Sequence, residues 1–131
     1  MGFLSVLIAA AAGFGLGAVW YMVLAEPWME AVGIKRGPDG KPEGGQSPVM
    51  FAITFVMLLL VAGMMRHTFV LSGVDTLGKG LVSGLGIGLF FISPWIVINN
   101  LYGSRPAKLS VIDGGYATVA CALMGLVLTL F

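Results

Sequence analysis

Charge is scarce in this chain. Asp, Glu, Lys and Arg together make up 10% of its 131 residues, against about 25% in soluble domains, too few to cover a water-facing surface. Seven basic and six acidic side chains leave a net charge of +1. Basic residues this few and this scattered build no face for nucleic acid, which is excluded as a partner. Cysteine and histidine occur once each, as Cys121 and His67. A lone cysteine excludes an intrachain disulfide and a Cys-based metal cluster. In an apolar run it acts as a small packing residue. One histidine with no acidic neighbour close in sequence is not a metal site and reads as an interfacial side chain. No Ser-His-Asp set, CxxC, P-loop or dinucleotide fingerprint is present, and Gly13-x-Gly15-x-Gly17 lacks the strand such a fingerprint needs. No metal, cofactor or enzymatic activity is therefore expected.

Apolar residues fill the space that charge leaves, at 58% of the chain. A helix needs about 20 of them in succession to cross the hydrocarbon core. Four stretches qualify, over about 3–25, 48–68, 76–101 and 109–131. The fold expected is all-α: one domain, an integral membrane bundle of four transmembrane helices. No Lys or Arg precedes the first stretch, and it is longer than a secretory h-region of roughly 7–15 residues, so a retained helix is expected. Ser47-Pro48 is a good opening for the second span.

The longest connection has two halves. EPWMEAVGI spaces Trp28, Met29, Val32 and Ile34 as a helix would, predicting a short interfacial helix closed by Gly33. GPDGKPEGGQ reads as a flexible loop. The first and third connections share one side of the membrane and hold Lys35, Arg36, Lys41, Arg105 and Lys108, whereas the other side holds Arg66 and Lys79. By the excess of Lys and Arg, the 26–47 and 102–108 loops are expected to be cytoplasmic and both termini outside, in a plasma or inner membrane.

Helices in lipid associate where small residues let backbones approach. Gly13 and Gly17 form a GxxxG in the first span, and Gly80, Gly84 and Gly88 form one stripe on the third, with Gly86 off it. These two spans are expected to pack closely, within the chain or across a homo-oligomer. Pro94 is expected to kink or end the regular part of the third helix. Met57, Met64 and Met65 read as apolar fillers rather than a copper site. Trp20, Tyr21, Trp28, Trp95 and Tyr102 are placed as an aromatic belt would be.

Polar residues converge at one end of the bundle. Asn99 and Asn100 close the third span, Arg105 and Lys108 follow, and Asp113 and Tyr116 share a face of the fourth. Trp20, Tyr21 and Trp28 end the first span on the same side. Two readings of Asp113 stand. An ionisable residue inside a span is a functional site by default, a proton acceptor or cation ligand. Alternatively Ser110-x-x-Asp113 is a capping box at the helix start, with Arg105 in reach of Asp113.

These residues carry a family resemblance. GAVWYMVLAEPWMEAVG, from Gly17 to Gly33, resembles the pattern GxxWYSPxxFGxxWMxxxG, with Met22 and Val23 in place of Ser-Pro. NLYGSRPAKLSVIDGGYATVACALMG, from Asn100 to Gly125, resembles an Asn, a short loop with Arg-Pro and Lys-Leu, then Asp-x-Gly-Tyr and a small-residue helix. Both patterns mark the small membrane proteins catalogued as domain of unknown function 1761. The resemblance implies a four-helix membrane protein and places Trp20, Tyr21, Trp28, Asn100, Arg105, Lys108, Asp113 and Tyr116 on motif positions. It implies no activity. The expectation is a membrane protein that meets lipids and acts by assembly, as a homo-oligomer or as a subunit of a membrane complex. The alternatives are a small oligomeric transporter or channel with a polar site around Asp113, and a membrane-embedded enzyme acting on a lipid or quinone.

Overall fold

The helices begin and end where local chemistry dictates. In the computed structural model, which describes residues 2–33 and 47–131, α1 runs over Phe3–Val23 and α2 over Ala25–Val32. Pro27 has no N–H to offer the carbonyl four residues back, so the chain breaks at Leu24 rather than running on to Ala25. Gly33 closes α2 in the left-handed conformation (φ 82°), which glycine adopts without a side-chain penalty. The Gly/Pro-rich half of the connection, with Ile34, Lys35, Arg36 and Lys41, lies outside the described residues.

Helix α3 (Pro48–Ser72) opens with Ser47 Oγ accepting from the Met50 N–H at 3.2 Å. It passes Thr68, because nothing stops it before Gly73, which caps it at φ 70°. Thr76 caps α4 (Leu77–Gly86) by accepting from the Lys79 N–H. A π-helical segment (Ile87–Ile92) and α5 (Ser93–Tyr102) continue it as one 26-residue span. The wider π turns lie just before Pro94, and the Ser93 N–H reaches Gly88 O, five residues back. They absorb the missing donor and ring bulk that would otherwise break the helix.

Helix α6 (Ala107–Leu130) starts after Pro106, without a side-chain cap. Ser110 and Asp113 are therefore inside the helix, and the capping-box reading is overturned. Pro106 fixes the extended entry, and Ala107, Lys108 and Leu109 are good enough helix formers to start the helix one turn early.

Four helices are long and apolar enough to cross a membrane, and among the described residues all regular structure is helical. They are not equivalent. Buried residues make up 56% of the apolar window of α6, 28% of α1, and 11% of both α3 and the third span. Helix α6 packs on every other element and is the axis of the bundle. Its C-terminal half meets Val6, Ala9, Ala62, Met65 and Phe69 through Cys121, Met124, Val127 and Leu128 in one apolar core. Helix α3 packs mainly on α1 and only lightly on α6.

The glycine stripes do not face each other. Gly80, Gly84 and Gly88 lie against the backbone of α6 at Gly125, Cys121 and Ala117–Thr118. A Cβ at Gly88 would sit 2.6 Å from Ala117 O, and one at Gly84 would overlap Cys121 O. Residues 117, 121 and 125 repeat every fourth position, so two antiparallel stripes mesh. Gly13 and Gly17 also face α6, against Met124 and the Tyr116 hydroxyl. Within the chain, the expected pairing of the first and third spans is thus replaced by two pairings on one shared helix.

Candidate functional site

Four successive residues of α6 meet four different groups. Asp113 lies six residues into the helix, about 9 Å along its axis. Its Oδ1 accepts a hydrogen bond of 2.6 Å from Tyr21 Oη. Gly114 lies against Ser93 of α5, and Gly114 O accepts from Ser93 Oγ at 2.9 Å and from Thr118 Oγ1 at 2.8 Å. Gly115 seats the Trp20 indole, since a Cβ there would be 2.9 Å from Trp20 Cζ2. Tyr116 reaches across α1, where its hydroxyl donates to Gly13 O at 2.8 Å. Gly17 makes room for that ring, because a Cβ on it would be 2.8 Å from Tyr116 Oη.

The α1 side completes the cluster. Trp20 Nε1 donates to Ile112 O at 3.0 Å. The Tyr21 ring stands edge-on to Trp28 (centroids 6.2 Å apart) and to Tyr116 (5.4 Å). Edge-to-face pairs of this kind contribute about 0.5–1.5 kcal/mol each beyond the area they bury. Each bond between spans adds about 0.6 kcal/mol, up to about 1.7. Three such bonds tie α1 to α6.

Arg105, in the connection, and Lys108, in the first turn of α6, reach α2 rather than Asp113. Arg105 Nη1 donates to Val32 O at 2.9 Å. Lys108 Nζ lies 3.7 Å from Glu30 Oε2, an exposed ion pair of little energetic weight. The expected Arg105–Asp113 contact gives way to Tyr21–Asp113, because Arg105 precedes the helix and caps the end of α2 instead. Asn100 Nδ2 donates to Ser110 Oγ at 3.0 Å, joining α5 to α6. Asn99, Trp95 and Tyr102 are exposed and stand apart from the cluster.

The structure thus brings together Trp20, Tyr21, Trp28, Asp113 and Tyr116, with Asn100, Arg105 and Lys108 as outlying ties. Sequence reasoning did not single out Ser93, Thr118, Ser110 as an acceptor, Gly114, Gly115 or Glu30. Hydroxyls within a span were the available signal for Ser93 and Thr118. Among the described residues, no three His, Cys, Asp or Glu side chains group so as to hold a metal ion. Chemically, the cluster is a phenol hydrogen-bonded to a carboxyl group and walled by aromatic edges.

The family profile described as "Protein of unknown function (DUF1761)" matches residues 4–129. No curated protein and no solved structure matches the chain.

Proposed function

Because the chain belongs to that family, whose description assigns no activity, we propose a function from the geometry: a small membrane protein that works by assembly, as a homo-oligomer or as a subunit of a membrane complex. The observation that carries this reading is the fate of the polar residues. Asp113, Tyr21, Trp20, Tyr116, Asn100, Arg105 and Lys108 each engage a partner within the same chain. The cluster acts as a latch that fixes α1 and α2 on α6. What the latch leaves free is the outer surface of α3 and of the third span, both little buried. Association in a membrane is by close packing between helix surfaces, and these are the two that a partner would meet. The end carrying Arg105 and Lys108 is the cytoplasmic one on this reading, by the Lys and Arg excess.

Chemical cross-linking in native membranes, followed by purification in mild detergent, tests the proposal. The expected result is a discrete adduct, either a multiple of this chain or one with a constant partner. A chain that stays monomeric in its native membrane and retains no other protein refutes it.

A further inference from the structure

We draw no further inference here: the strongest candidate, the shallow apolar groove between α3 and the π-helical segment of the third span, lined by Leu60, Met64, Ile87 and Phe91 among others, is an unpartnered face, and nothing in the structure shows what covers it.

Discussion

Replacing Gly84 by Ala inserts a methyl group between two backbones. An ideal Cβ there overlaps Cys121 O and lies 2.9 Å from the Cys121 carbonyl carbon and 3.1 Å from Ala122 Cα. Carbon atoms rest at about 3.5–4.0 Å, and the overlap with Cys121 O is tighter still, so α4 must withdraw by roughly 1 Å. The obstacle is backbone and cannot rotate away. Gly80 and Gly88 share the stripe and lose contact with it. Overpacking of this kind costs about 1–3 kcal/mol. Alanine returns about 1 kcal/mol through its higher helix propensity, leaving a net loss of about 0–2 kcal/mol. Gly86 is the internal control. It lies in the same helix, and nothing stands within 4 Å of its Cβ position. Gly86→Ala therefore shows only the propensity gain, about 1 kcal/mol of added stability. Reversible unfolding in mixed micelles, followed by circular dichroism as SDS is raised, reads the difference. The expected gap is about 1–3 kcal/mol, with opposite signs for the two variants. Equal shifts refute the meshed-stripe reasoning. So does a Gly84→Ala variant of unchanged stability that alters only oligomeric state, since that places the stripe between molecules.

Two further predictions concern the latch. In a double-mutant cycle of Tyr21→Phe and Asp113→Ala, unfolding free energies yield a coupling of about 0.6 kcal/mol, at most about 1.7; additive losses dissolve the proposed bond. Gly115→Ala pushes the Trp20 indole off Ile112 O at a cost of about 1–3 kcal/mol. With Trp28 and Trp95 changed to Phe, the remaining Trp20 emission shifts, and an unshifted spectrum contradicts the seating of Trp20 on Gly115.

The spans were legible because bilayer thickness sets a length that composition either meets or misses. Helix α2 and its Gly33 stop were legible because apolar spacing and a left-handed cap are local signals. The centre of the bundle was not. Its helix has the lowest mean hydropathy of the four, 1.8 against 2.0–2.4, because close packing selects Gly, Ala and Cys over Leu. A sequence reader therefore sees a weaker span where the structure has its axis. The small residues at 117, 121 and 125 carried the missing information about the partner of Gly80, Gly84 and Gly88. The glycine signal alone shows that a backbone comes close, without saying whose. The capping-box alternative for Asp113 fails for a related reason. Ser110-x-x-Asp113 is a valid local pattern, but where a helix starts depends on the residues before it, and Pro106 set the start one turn earlier. That the C-terminal end of α1 and the N-terminal part of α6 share a polar cluster was visible in the residue types. Which phenol meets which carboxyl depends on how two helices approach, where Gly17 makes room for Tyr116 and Gly115 for Trp20, pairs far apart in sequence.

The position of α6 in the chain has a consequence for how the protein is made. The helix on which all others pack is the last of the four in the chain. At about 5–20 residues per second, synthesis of the 28 residues that follow Tyr102, through Leu130, takes roughly 1–6 s. Helices α1 and α3, both of higher mean hydropathy, are made before the helix they pack on. The contacts of Gly13, Gly17, Gly80, Gly84 and Gly88 therefore close only once the last span has been added.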